Sequence, residues 1–152
     1  MIRNHGMLKG YDTRLLGLNL RLPEINAAIA KIQIKKLPKF LQARQKNAEL
    51  LTELLSKSNL SLPIQRKHEK VNWYLYTITS SKRNTLLKKL NEKGIGAASY
   101  YRIPVHKTLF YKSKTKLPIT EWAASKVLSL PIHPKVTTKN IKFISKSIFE
   151  IL

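Results

Sequence analysis

The sequence predicts a small α+β domain preceded by two long helices. Three observations carry that reading. The chain has 152 residues, 43% of them apolar, enough to bury one ordinary core. From about residue 71 onward, strand-like and helix-like segments alternate, strand, helix, strand, helix, strand, helix, which gives a three-stranded sheet with helices on one face. Before that, an apolar stripe of helical period runs from residue 23 to about 56, interrupted by Pro38.

The elements follow in order. Residues 1–22 read as irregular or extended, because Gly6, Gly10 and Gly17 interrupt any helical period. Pro23 opens the first helix, since its missing N–H has no intrahelical partner at that position, and Glu24 suits the positive end. Ile25, Ala28, Ile29 and Ile32 make its apolar stripe. Pro38 is expected to end or kink this helix near Lys36. A second helix then runs to about Ser56 with Phe40, Leu41, Ala48, Leu51, Leu54 and Leu55 inward.

Residues 56–70 read as a connecting loop. The aromatic and β-branched stretch VNWYLYTIT, 71–79, predicts a strand buried on both faces. Residues 82–93 predict a helix with Leu86, Leu87 and Leu90 inward and Gly94 at its C-terminal stop. A strand over 95–100, a loop containing Pro104, a short helix over 118–127 opened by Pro118, and a strand in LSLPIHP at 128–134 follow. The last helix, about 138–152, aligns Ile141, Ile144, Ile148 and Leu152. Trp73 and Trp122 read as core residues, and His133 as a polar cap on a strand end.

Composition removes several classes of function. With no cysteine, the chain has no disulfide framework, thiolate metal site or Cys nucleophile. No apolar run approaches the ~20 residues of a spanning helix. The opening MIRNHGMLKGYD lacks the apolar segment of a secretory leader. The expected compartment is the cytoplasm. The charge balance is extreme, 29 Lys+Arg against 8 Asp+Glu for a net +21. That points either to a polyanion partner or to a lysine-rich surface. The 22 lysines scatter along nearly every segment without forming a block, which favours the surface reading and disfavours nucleic acid.

No generic catalytic motif appears, neither a phosphate-cradling Gly loop nor HExxH nor GxSxG. His5, His68, His106 and His133 have no metal-ligand spacing. One short pattern stands out. In LGLNLRLPEINAAI, 16–29, Asn19 and Arg21 lie two apart in an extended segment and share a face. An amide beside a guanidinium suits phosphate or carboxylate. The alternative is that Asn19 caps a turn and Arg21 pairs with a surface acid.

An ordered set of motifs adds to this: RNHG (3–6), LGLNLRLPEINAAIAKIQIKKL (16–37), WYLYTI (73–78), EKGIG (92–96), YYRIPVH (100–106) and LSLPIHP (128–134). Together they resemble the DegT-type sugar aminotransferases, pyridoxal-phosphate (PLP) enzymes of fold type I that aminate keto groups on nucleotide-linked sugars. The resemblance covers essentially the whole chain, yet matches only the family's C-terminal part, including its small domain. It implies that residues 1–37 are the tail of a large cofactor domain with an interface segment and helix. Residues 38–152 would then be a connecting helix and the small α+β domain.

The resemblance also assigns roles. Asn19 would hydrogen-bond the cofactor phosphate of a neighbouring subunit, with Arg21 beside it contributing charge to that phosphate or to the nucleotide sugar. YYRIPVH resembles the family's HYPxPxH substrate loop, with Tyr101 and His106 matching its Tyr and last His as substrate-binding residues. Tyr100 departs from a usual His, Arg102 from a usual Pro, and Tyr74 from a frequent His. Arg102 would either bind a nucleotide phosphate or lie on the surface. In the family, RNHG follows the lysine that forms the Schiff base, and the aspartate pairing with the pyridine nitrogen lies further upstream. No lysine here sits in that context, and Asp12 lies in the wrong segment. The chain therefore reads as a split or truncated product, inactive alone, that works as a homo-oligomer or with a separate N-terminal half. The rival readings are a non-catalytic remnant or interaction domain, and a basic nucleic-acid-binding module.

Overall fold

A computed structural model describes residues 1–152. It contains helices α1 (Glu24–Leu55), α2 (Arg83–Glu92), α3 (Pro118–Lys126) and α4 (Thr138–Ile151), strands β1 (Tyr76–Thr79) and β2 (Val127–Leu130), and a 3-10 turn at Val105–Lys107. The chain divides into two compact units, Met1–Pro38 and Lys39–Leu152.

In the first unit, the start of the chain pairs antiparallel with residues 18–20. The Leu18 N–H donates to the Ile2 carbonyl at 2.7 Å, the Leu20 N–H to Arg3 at 2.9 Å, and the His5 N–H to Leu18 at 3.1 Å. Asn4 thereby faces Asn19 across the pairing. Two glycines permit it. Gly6 sits at φ +72° and its missing Cβ would collide with the Leu15 carbonyl, while a Cβ on Gly17 would strike the backbone of His5 and Gly6. The expected Pro23 start holds, with the Ala27 N–H donating to the Pro23 carbonyl and Glu24 in the first turn of α1.

The two helices expected on either side of Pro38 are one. Helix α1 runs 32 residues with Pro38 inside it. A proline removes one N–H donor, and the flanking Lys35, Lys36, Leu37, Lys39 and Leu41 are good helix formers. A helix already nucleated continues past one lost bond. The stripe of Ile25, Ile29 and Ile32 is exposed. Leu41, expected inward, is 37% exposed.

In the second unit the sheet has two strands, not three. β1 and β2 pair antiparallel, Tyr76 opposite Leu130 and Ile78 opposite Leu128. β1 is shorter than expected because Trp73 adopts φ +48°, and the Trp73 and Tyr74 carbonyls accept from Arg44 Nη1 at 3.0 Å instead of entering a ladder. Its burial alternates, Tyr76 and Ile78 inward and Thr77 and Thr79 half-buried, so one face, not both, meets the core. The third expected strand, 95–100, reduces to a single bridge from Ala98 to Ser129. The Ile95 N–H turns back to Leu90 at 2.9 Å and the Ala97 N–H to Ile95 at 2.7 Å, so two donors a ladder would need are used locally.

Leu51 and Leu55 of α1, Leu86 and Leu90 of α2, and Ile141, Ile144 and Ile148 of α4 close the core around Tyr76, Ile78, Leu128 and Leu130. α4 opens with a reciprocal cap, Thr137 and Asn140 each bonding the other's backbone N–H. Trp73 is buried as expected, but Trp122 is 55% exposed, because it lies on the outer face of α3, whose buried residue is Ala124. No helix is long and apolar enough to cross a membrane.

Candidate functional site

The first candidate lies in the Met1–Pro38 unit. The pairing of residues 2–5 with 18–20 brings Arg21 onto Asn4. Arg21 donates from Nε at 3.1 Å and from Nη2 at 2.9 Å, both to Asn4 Oδ1. Nη1 takes no protein partner, so one edge of the guanidinium points elsewhere. Met1, Arg3, Asn4, Met7, Arg21 and Leu22 line an open cavity of about 500 Å³. Two of these six carry guanidinium groups and none carries a carboxylate. Such a hollow favours an anion, because a guanidinium fork matches the oxygens of phosphate or carboxylate.

Asn19 occupies the same extended segment and its side chain is exposed. It meets Asn4 through the backbone bridge and does not line the cavity. Arg21 pairs with an amide oxygen, not with a surface acid. Asn4 and Arg3 are the residues that motif reading passed over. RNHG was visible, but its partnership with Arg21 spans seventeen positions, and only the pairing of two extended segments reveals it.

The second candidate lies in the Lys39–Leu152 unit, in the loop 100–117. The 3-10 turn Val105–Lys107 follows Pro104, whose carbonyl accepts from the Lys107 N–H at 2.9 Å. It presents His106 to Glu121 in the first turn of α3, with 3.1 Å between Nε2 and Oε1. The same oxygen accepts from the Leu117 N–H at 3.1 Å and lies 3.6 Å from Lys107 Nζ. Glu121 is a hub for imidazole, ammonium and main chain. The His106 bond chiefly, then the Leu117 N–H, holds its carboxyl below the usual carboxylate range. The His106 side chain is only 12% exposed, and its one ring hydrogen bond is the one to Glu121.

Tyr101 is 77% exposed and Arg102 is exposed as well. Neither side chain makes a hydrogen bond within the chain, so the loop brings His106 to Glu121 and leaves Tyr101 and Arg102 projecting. Glu121 was missed in sequence, although a Glu three positions after Pro118, in the first turn of a helix, is a readable signal. No group of three or more His, Asp or Glu comes together to hold a metal ion.

Comparison with known proteins places these features in a setting. A family model described as the DegT/DnrJ/EryC1/StrS aminotransferase family matches residues 1–149. The chain is 33% identical, over 99% of its length, to a pleiotropic regulatory protein of Geobacillus stearothermophilus, 42% of which it covers. It is 32% identical, over 88% of its length, to the dTDP-3-amino-3,4,6-trideoxy-alpha-D-glucose transaminase of Streptomyces venezuelae, covering 37% of that protein. Among solved structures, a DegT DnrJ EryC1 StrS aminotransferase from Brucella abortus superposes with a TM-score of 0.88 at 28% identity, over 98% of this chain and 41% of that one. The chain thus spans about two fifths of the length of these relatives.

Proposed function

Because the chain belongs to the DegT/DnrJ/EryC1/StrS aminotransferase family, we propose that it supplies the C-terminal part of a PLP-dependent aminotransferase acting on nucleotide-linked keto sugars. The observation that carries this reading is the Arg21 fork on Asn4 beside a hollow holding two guanidiniums and no carboxylate. That donor set fits the phosphate of PLP. Asn19, exposed on the same extended segment, donates its amide to that phosphate across a subunit boundary, and Arg21 adds charge to the phosphate or to the nucleotide sugar. A charged hydrogen bond of this kind contributes about 1.5–3 kcal/mol. When bound, PLP supplies the electron sink that amino transfer needs.

In the loop 100–117, Tyr101 and His106 contact the sugar and Arg102 contacts the nucleotide phosphate. Glu121 keeps the His106 ring in one orientation, as a carboxylate partner does for an imidazole that must present its other nitrogen. Residues 1–37 belong with the cofactor domain and 38–152 form the connecting helix and small domain. The protein works in the cytoplasm.

The chain alone does not transaminate, because none of its lysines stands in the family's Schiff-base context and Asp12 is not the ring-nitrogen partner. Those groups come from the family's N-terminal part, and the assembly is a homo-oligomer or a complex with a separate N-terminal half. The exposed leucines of the first unit, Leu16 at 92% and Leu22 at 62%, support such a contact. They equally favour a second reading, an interaction domain without catalysis.

An absorbance titration with PLP separates the two. It is run on this chain alone, then with a separately expressed N-terminal part of a family member, followed by borohydride reduction. A covalent adduct confined to the mixture, whose affinity drops in Arg21→Met, is the expected result. Transamination by the chain alone would refute the split reading. A mixture whose PLP binding ignores this chain would leave the interaction domain.

A further inference from the structure

Arg83 is the one charged side chain buried in the second unit. It is 7% exposed and opens α2, where the positive end of the helix disfavours a cation. No carboxylate lies within ion-pair distance of it, and its Nε has no hydrogen-bond partner. A buried cation left without a counter-charge is a poor way to stabilise a fold, and an apolar residue of similar volume does as well or better. Its placement therefore calls for a role other than core packing.

The remaining donors show one. Nη1 donates to Ser99 Oγ at 2.6 Å and Nη2 to the Ala124 carbonyl at 3.1 Å. Ser99 is the last residue before Tyr100, Tyr101 and Arg102. Ala124 lies on α3 three positions after Glu121, the residue that holds His106. The guanidinium fork thus joins the root of the loop to the helix on which the loop's middle is anchored. Lysine, a point charge on a flexible stem, cannot span both acceptors in this way.

We propose that Arg83 is a positioning residue for the loop 100–117, fixing its root against α3 so that Tyr101, Arg102 and His106 are held in one arrangement. The proposal rests on the reading that this loop carries the substrate contacts. Arg83 touches no substrate itself and acts through Ser99 and α3.

Hydrogen exchange on the full chain tests it. The loop has its own reporters: the Lys107, Thr108, Lys112 and Ser113 amides all donate to carbonyls within it. The amides of 76–79 and 127–130 report the core. In Arg83→Met, which removes both guanidinium hydrogen bonds, the four loop amides should exchange at least ~10-fold faster, with core amides unchanged. Arg83→Lys, keeping the charge and one acceptor, should fall between Arg83→Met and the parent. Unchanged loop amides, or loop and core accelerating together, would overturn the proposal, the latter because it marks a purely structural residue. Should Arg83→Met not fold, Ser99→Ala removes one acceptor and must still accelerate the loop alone, or the proposal fails. The substrate reading is tested apart from this, by adding UDP-glucose to the PLP mixture described above and following the His106 ring by NMR. A ring that does not respond sinks the substrate role while the exchange rates still report the tether.

Discussion

Arg21 commits two donors to one amide oxygen, which fixes where its third nitrogen can go. A long side chain otherwise loses up to ~2 kcal/mol of rotamer freedom when it binds a ligand, and Asn4 has already ordered it. Asn4→Ala should therefore weaken PLP binding in the completed assembly by roughly 3- to 10-fold, while a charge-only role for Arg21 would leave affinity unchanged. That Asn19 and Arg21 lie two apart on one extended segment was legible, because alternation along such a segment is local. The Asn4 contact was not, because it depends on two segments finding each other. Glu121 offers a pH test. Its carboxyl sits low chiefly through His106, so the stability this contact contributes is present above the ordinary carboxylate pKa and is lost as pH falls through the lowered folded value. Carbon-13 NMR should place the Glu121 midpoint below that of a disordered glutamate, and His106→Ala should move it back up. A midpoint indifferent to His106 would refute the bond as cause.

Among elements, α1 carries the clearest conflict between local rule and outcome. Pro38 lies inside a 32-residue helix, and an internal proline costs a helix about 3 kcal/mol. Pro38→Ala restores the N–H, and urea unfolding followed by far-UV circular dichroism should show a gain of about 1–3 kcal/mol. A loss would mean that the ring itself packs usefully. Helices α2 and α4 were readable because their periods, Leu86–Leu87–Leu90 and Ile141–Ile144–Ile148, coincide with burial. The third strand was not readable. Residues 95–100 have strand-like neighbours, but the donors of Ile95 and Ala97 find closer acceptors, and hydropathy carries no information about that competition. β1 was overextended for a related reason, since nothing local to Trp73 announces a left-handed backbone.

At the scale of the whole chain, a net charge of +21 coexists with a row of exposed apolar side chains, among them Leu16, Leu18, Leu20, Leu22, Ile25 and Ile29. Apolar surface of that extent seeks a partner, while the like charge resists association until salt screens it. Sedimentation velocity should show concentration-dependent association that strengthens with added salt, and Leu20→Ser with Ile29→Ser should reduce it. A monomer at every concentration and salt would remove the contact. Those leucines and the unpaired edge of Arg21 share one stretch of chain, yet they stand under different constraints. The close approach of Gly6 and Gly17 sets the spacing of the paired backbones before any side chain is considered. The geometry that aims Arg21 is therefore written in the main chain. Exchanging one exposed leucine for another apolar residue should leave it intact, whereas a single methyl group at either glycine should erase it. Sequence drift in this segment is free along the exposed apolar row and forbidden at two positions where an added Cβ would strike backbone.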